Sequence, residues 1–578
     1  MKEVILKYRH IVYPIFFTAL YAFIIMSVFN IYLDNDDTSM SRIVSGMMTG
    51  TPDPHCEFIN YTLSSIIAFL YKLVQNVNWY SFLINIIPVF GGLWIMIYRF
   101  MDISYKKNRE YILISVLAIL LYSSLCFSQI LEPQWTQSAG IVGTMAVFLW
   151  YTSNWEKDCS IVKKYFEQIL IILMILICFG IRESVFKMIV PSVFILFVIR
   201  AIQKKELKQD IIIILVSCLC IFTMSKVDQL AYSDATYGQL KTMNSYRARI
   251  ADYGGLPDYN EYKDIYQKYD ISYEEQCLVN GLAAYEFFEN LTMEDLIDYY
   301  SVLCEVNNLN TDNRFKIIIA IENAGKAFFD MNSVGHIIFL LLLLLSSGIL
   351  YCKNKDKISF LSNILILGIY FCMWVYLGRS NRFPLRVLFI MHFSLNMILI
   401  AILLNSFLRS SINKTHISFR IGMALLGLGI IVAGIFQLKL SINNYRKSSE
   451  QYYLQCNAYE YMKNNKKDLF LLGPDFRVFK EKFDFIDNPN ELNYIKITGW
   501  ATITPAFQEM ITKGNGEDIW NVIVKRDDIR LVTDYLDWVY IITDYYNSIG
   551  YNLDYDVIDI VNTQIEEKKY YIIQLRLL

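Results

Sequence analysis

Long apolar stretches alternate along the chain with short basic loops and with long polar ones, and that alternation decides its class. Apolar runs of spanning length fall at 11–33, 82–99, 111–130, 139–151, 169–180, 186–199, 211–224, 334–351, 360–377, 387–407 and 421–440. A helix needs about 20 such residues to cross the hydrocarbon core. The pattern predicts a polytopic α-helical membrane protein with about eleven transmembrane helices. Lysine and arginine gather in every second loop: Arg99, Lys106, Lys107 and Arg109; Lys157, Lys163 and Lys164; Arg200, Lys204, Lys205 and Lys208; Lys353, Lys355 and Lys357; Arg409, Lys414 and Arg420. These loops share a side with Lys2, Lys7 and Arg9, which places the N-terminus in the cytoplasm and, with an odd helix count, the C-terminus outside.

The remaining loops are unequal. Residues 34–81, 226–333 and 441–578 are long, polar and rich in aromatics, and all three fall on the external face. From about Tyr452 a helical stretch over 453–464 gives way to β-rich segments, DLFLLG, NYIKITGW, WVYIIT and KKYYIIQLRLL, punctuated by Gly and Pro. Two domains are expected: a transmembrane domain over 1–440 and a small extracytoplasmic α/β domain over 441–578. Neither a half-to-half repeat of helix spacing nor a short broken helix pair is visible, which weakens a transporter reading.

Composition agrees. Of 578 residues, 55% are hydrophobic, 15% aromatic and only 19% charged, far from a soluble domain. A net charge of -2 without a basic stripe removes the case for a nucleic-acid partner. The 11 cysteines are scattered, with no CxxC pair or zinc spacing, and read as small buried hydrophobes. The leading MKEVILKYRH feeds a run too long for a signal peptide and reads as a retained anchor in a plasma membrane. The abundance of Ile, Asn, Lys and Tyr suggests an AT-rich, bacterial source.

The first candidate chemistry is the stretch NIYLDNDDTSM, which sets Asp34, Asp36 and Asp37 where the first apolar run ends. Ionised aspartates inside hydrocarbon cost several kcal/mol, so they mark the exit of the helix or a watery cavity beside it. A solvated helix end is the plainer use of such residues. The loop that follows carries a short amphipathic run, a Pro-rich turn at TPDPH and a semi-polar helix ending in NWY, and so lies along the membrane surface.

An acidic motif at the outer end of the first helix, an interfacial first loop, many further spans and an external C-terminal domain resemble the GT-C class of integral-membrane glycosyltransferases. The DNDD stretch and the spacing TGTPDPH to NWY are similar in particular to polytopic proteins of Gram-positive bacteria related to that class. The resemblance implies a polyprenyl-phosphate or polyprenyl-diphosphate sugar donor. It implies that Asp36 or Asp37, with Asp34 as alternate, serves as base or orients the acceptor, be it a glycan, a teichoic acid or a protein. A neighbouring carboxylate either raises the base's pKa or helps hold a divalent cation such as Mg or Mn; the residues leave both open.

Such a donor needs positive charge on the same face. Arg182 with Glu183, and Lys187 a turn further, lie in CFGIRESVFKM at the external ends of two predicted helices. Arg379, Arg382 and Arg386, in LGRSNRFPLRVLF, form an external basic cluster that defies the positive-inside pattern. Interfacial anchoring is the plainer alternative for both groups. His55 in TPDPH is a further phosphate-contact candidate, and the Tyr- and acid-rich loop 226–333 suits sugar hydroxyls as well as it suits a folded cap. A flippase or a polymerase of lipid-linked saccharides would use the same external arginines.

Overall fold

The computed structural model describes residues 9–29, 31–33, 36–104, 108–155, 160–203, 207–251, 255–282, 292–309, 316–379, 382–409, 417–473, 476, 479–481, 492–497, 499–512, 519–564 and 568–578. The first apolar run forms α1 (Arg9–Val28), followed by strand β1 (Ile31–Leu33) and two surface helices, α2 (Asp37–Ser45) and α3 (Tyr61–Leu73). A π-helical turn, Ser81–Ile86, leads into α4 (Ile87–Ser104), α5 (Asn108–Leu131), α6 (Trp135–Thr152), α7 (Ile161–Ile181), α8 (Glu183–Ile202) and α9 (Leu207–Ala231). The second long loop folds as α10 (Ala235–Arg249), α11 (Lys263–Lys268), α12 (Tyr273–Leu282), α13 (Met293–Leu309) and α14 (Lys316–Phe328). Four long helices follow: α15 (Val334–Asn354), α16 (Lys357–Gly378), α17 (Leu385–Arg409) and α18 (Ile417–Asn464).

Among the described residues, 10 helices are long and apolar enough to cross a membrane, and the chain is a multi-pass membrane protein. The run predicted at 139–151 is α6, whose polar first turn, WTQS, sets it apart from those 10. It stands in the middle of the bundle with every residue but Gln137 buried. Side chains of α4, α7, α8 and α17 surround it in place of lipid. Small residues let them close in: a Cβ on Gly140 would stand 2.6 Å from Ile390 of α17, and one on Gly143 would stand 2.6 Å from Cys178 of α7 and 2.7 Å from Ile189 of α8. At the end of the bundle away from the acidic stretch, Arg200 is fully buried. Its guanidinium donates to both carboxylate oxygens of Asp210 (2.8 and 3.1 Å) and to the carbonyls of Trp150, Tyr151 and Ser153.

Two expectations about element ends are corrected. The run 11–33 does not stay helical to its end: α1 stops at Val28, and β1 pairs antiparallel with β3 (Phe479–Glu481). Outside lipid the main chain needs partners, and a strand of the C-terminal part supplies them. The span at 421–440 and the helix at 453–464 are one 48-residue helix, α18, about 72 Å long at 1.5 Å per residue.

The C-terminal part carries a five-stranded sheet in the order β4 (Tyr494–Lys496), β2 (Leu469–Leu472), β5 (Ile529–Thr533), β7 (Lys569–Leu577), β6 (Leu553–Asn562). Strand β2 runs parallel to both neighbours and is wholly buried, as its LFLL sequence requires. Helices α19 (Pro505–Thr512), α20 (Ile519–Lys525) and α21 (Asp537–Ser548) complete the fold. The three long segments meet on one face of the bundle. Trp500 reaches Asp36, Tyr237 reaches Asp53, Asn244 reaches Glu57, and α21 packs on α12.

Candidate functional site

Asp36 and Asp37 open α2, where the unpaired N–H groups of a first turn favour negative charge. Asp37 is only 1% exposed. One of its oxygens accepts from Tyr80 Oη at 3.0 Å and Asn85 Nδ2 at 3.3 Å; the other accepts the main-chain N–H of Trp135 at 3.5 Å. It thereby ties the start of α2 to the turn before α4 and to the first turn of α6, whose N–H groups have no partner inside their own helix. Asp36 is half-buried and accepts from Trp500 Nε1 at 3.1 Å. Asp34 lies outside the described residues.

The two tryptophans held by these aspartates belong to one aromatic group. Phe58 stacks on Trp135, with centroids 5.6 Å apart and planes at 17°, and Trp500 meets Phe58 edge-on at 5.0 Å. Over this platform lies Arg182, its guanidinium carbon 4.5 Å from the Trp135 ring and 5.2 Å from the Phe58 ring. Arg182 joins α7 to α8 in extended conformation, and its Nε donates to Ser184 Oγ at 3.1 Å. Stacking on two rings fixes the guanidinium plane. The Phe58 loop is pinned there because Asn60 N–H donates to the Gly180 carbonyl at 2.8 Å.

Beside Arg182 is a polar cavity of about 290 Å³, lined among others by Glu57, Lys187, Asp228 and Lys241. Most of its charges are paired: Glu183 with Lys187 at 2.6 Å, and Asp228 with Lys241 at 2.8 Å. Glu57 takes a hydrogen bond from Asn244 Nδ2 on Oε1 (2.9 Å), while its Oε2 is buried without a partner. Burial pushes its carboxyl up to about 7, against the opposing pull of the Asn244 hydrogen bond and of Lys241 and Arg247. On the other side of the same turn an apolar groove of about 760 Å³ runs between α6, α7, α8 and α9, lined by side chains such as Val147, Ile175, Val193 and Ile214. Groove and cavity lie on two sides of the α7–α8 connection: Cys178 and Phe186 line the groove, Phe179 and Arg182 the cavity.

His55 stands next to this group. Its Nδ1 lies 2.6 Å from Asp53 Oδ1, and its ring stacks on Tyr237 at 3.8 Å. The Tyr237 hydroxyl donates to the other Asp53 oxygen at 3.1 Å. Burial raises the Asp53 carboxyl, but the hydrogen bonds and charge of His55 together with Tyr237 outweigh it and hold the group below its ordinary value. Tyr232, edge-on to His55 at 5.5 Å, also sits under the Lys241 ammonium at 4.0 Å, which connects His55 to the cavity.

The structure thus brings together Asp36, Asp37 and Arg182 through Trp135, Phe58 and Trp500, with Glu183 and Lys187 on the adjoining cavity and His55 outside it, one ring away through Tyr232. Arg379 follows the end of α16, Arg382 lies between α16 and α17, and Arg386 sits in the first turn of α17, none of them in the lining of the cavity. Arg386 is one turn before Ile390, the residue against Gly140, so α17 and α6 begin at a common level. Among the described residues no three His, Cys, Asp or Glu side chains converge as metal ligands would. The sequence did not single out Glu57, Trp135, Trp500, Asp228 or Lys241. For Glu57 the available signal was an acid directly after the turn that carries His55; for the others nothing local distinguishes them.

No protein-family model matches the chain, and no curated protein matches it. Among solved structures it is similar to the crystal structure of ArnT from Cupriavidus metallidurans bound to undecaprenyl phosphate, with 10% identity and a TM-score of 0.36 over 97% of this chain and 98% of that chain. At that TM-score the residues above stand on their own geometry.

Proposed function

We propose that the chain is a membrane glycosyltransferase of the GT-C type. It takes a sugar from a polyprenyl-phosphate or polyprenyl-diphosphate donor and passes it to an acceptor hydroxyl at the outer surface of the plasma membrane. The observation that carries this reading is the juxtaposition at the α7–α8 connection of an apolar groove within the bundle and a polar cavity lined by Arg182. The lipid tail lies in the groove and its phosphate against Arg182, with Lys187 and Lys241 across the cavity. As the bond between the anomeric carbon and the phosphate oxygen breaks, negative charge gathers on the departing phosphate, and cations already fixed in place stabilise it without reorganising. Arg379, Arg382 and Arg386, near the facing ends of α16 and α17, are further candidates for the donor phosphates, and His55 is fixed by Asp53.

Asp36 and Asp37 act here as orienting carboxylates. Asp37 has its oxygens committed to Tyr80, Asn85 and Trp135, and Asp36 holds Trp500. Together they set the aromatic platform on which Arg182 lies, and the C-terminal domain closes the site from above through Trp500.

The test is transfer by purified protein in nanodiscs, given radiolabelled polyprenyl-phosphate hexoses and a cell-envelope fraction as acceptor, with release of polyprenyl phosphate followed in time. Wild type turns over at least one donor, and Arg182→Ala lowers the rate about 100-fold or more, the usual cost of removing a group that stabilises transition-state charge. Equal turnover by Arg182→Ala would remove the phosphate from this cavity and sink the assignment of the site.

A further inference from the structure

We infer that Glu57 is the proton acceptor for the attacking hydroxyl, a role that rests on the transfer reaction proposed above. Three observations carry it. Glu57 lines the cavity whose rim is Arg182, the place given to the donor phosphate. Two other carboxylates on its wall are neutralised by direct ion pairs, Glu183 with Lys187 and Asp228 with Lys241. Glu57 instead keeps a buried oxygen, Oε2, without a hydrogen-bond partner. A buried unpaired carboxylate oxygen is costly unless it is filled by a proton or by a substrate donor.

The surroundings fix the orientation of the group. Arg247 donates through Nε to Asn244 Oδ1 at 2.7 Å, which turns the Asn244 amide so that Nδ2 points to Glu57 Oε1 at 2.9 Å. Oε1 is thereby anchored and Oε2 is the free end. Asp228 from α9 and Lys241 and Arg247 from α10 bear on its charge, and Tyr232 feels it in turn; Arg182 and the Glu183–Lys187 pair line the same cavity from the α7–α8 connection, and Asp53, His55 and Cys56 precede it in its own loop. The net result places the carboxyl near neutrality, where a base is about half ionised at pH 7 and strong enough to accept a proton. In the step itself the acceptor oxygen forms its bond to the anomeric carbon as its proton passes to Glu57 Oε2. The bond from that carbon to the phosphate oxygen breaks, its electron pair leaves with the polyprenyl phosphate, and the Glu57 proton is afterwards released to water.

The experiment uses full-length protein in nanodiscs with the donor panel above, measured between pH 5.5 and 8.5. Binding of undecaprenyl phosphate is followed separately by tryptophan fluorescence. Wild-type turnover rises with pH through about 7. Glu57→Gln lowers turnover about 100-fold or more, the usual contribution of a positioned general base, and does not weaken undecaprenyl phosphate binding. Glu57→Asp, which keeps the carboxylate if the amide disturbs folding, retains part of the activity and moves the acid limb. Turnover by Glu57→Gln within threefold of wild type, or a flat wild-type profile, overturns the role of Glu57 alone. A wild type that binds undecaprenyl phosphate but turns over no donor overturns this role together with the transfer reading.

Discussion

A carboxylate that already accepts from a phenol, a side-chain amide and a main-chain N–H, as Asp37 does, is committed to holding the site in shape. Asp37→Ala therefore costs stability as well as turnover: about 1–3 kcal/mol for the donors left unsatisfied, read as a lower melting temperature in nanodiscs, whereas Asp37→Asn retains part of the network and loses less. Glu57 behaves in the opposite sense. Its folded pKa of about 7 lies above the reference 4.5, so folding favours the protonated form, and stability is lost as pH rises from about 4.5 through 7. Glu57→Gln should flatten that slope; an unchanged difference in melting temperature between pH 5 and pH 8 would contradict the assignment. Asp53 is held below its reference value of 3.8 by His55 and Tyr237, so its contribution is present at any pH above about 4 and is lost only as pH falls through the folded value. At this scale the sequence disclosed what is locally abnormal. Carboxylates at the end of an apolar run demand an explanation wherever they fold, but the tryptophan that meets Asp36 lies 464 residues away, and nothing around Trp500 marks it as a partner.

Helix ends were the least legible part of the elements, and for a physical reason. Hydropathy reports where lipid would be tolerated, not where a helix stops. It therefore continued α1 through the three residues that pair with β3, and it broke α18 where the helix leaves apolar surroundings without ceasing to be a helix. Packing between elements depends instead on residues without side chains. A Cβ on Gly378, the last residue of α16, would stand 2.1 Å from the Ala320 carbonyl oxygen of α14, a main-chain atom that cannot rotate away. Gly378→Ala is expected to destabilise by about 1–3 kcal/mol, the usual cost of overpacking. Gly427→Ala, on a helix face with nothing within 4 Å, should be neutral or gain a few tenths of a kcal/mol from helix propensity. Thermal unfolding of the two variants side by side separates packing from propensity, and equal melting temperatures would show that α14 yields to the added methyl.

Across the whole molecule, the first loop, the second loop and the C-terminal sheet share one face, as the unequal loop lengths had indicated. The lysine and arginine pattern predicts that this face is the outer one. In a chain whose own exposed cysteines are replaced by serine, Ser548→Cys on the C-terminal part should react with an impermeant maleimide in intact cells. Lys357→Cys, at the opposite end of α16, should react only after permeabilisation. The reverse result would invert the topology and move the proposed chemistry to the cytoplasm. The unbroken course of α18 adds a mechanical consequence. From residue 441 to Asn464 the helix projects about 36 Å beyond its predicted span, and the sheet begins a few residues after its tip. Its inner half is gripped by α5 and α15, and its outer half, of equal length, is held by Glu132 at Ser448 and by Phe29 at Tyr445. A tilt of about 5° in the bilayer swings the far end by about 3 Å at that length, comparable to the hydrogen bond between Trp500 and Asp36. A change in the tilt of α18 would therefore bear first on that contact.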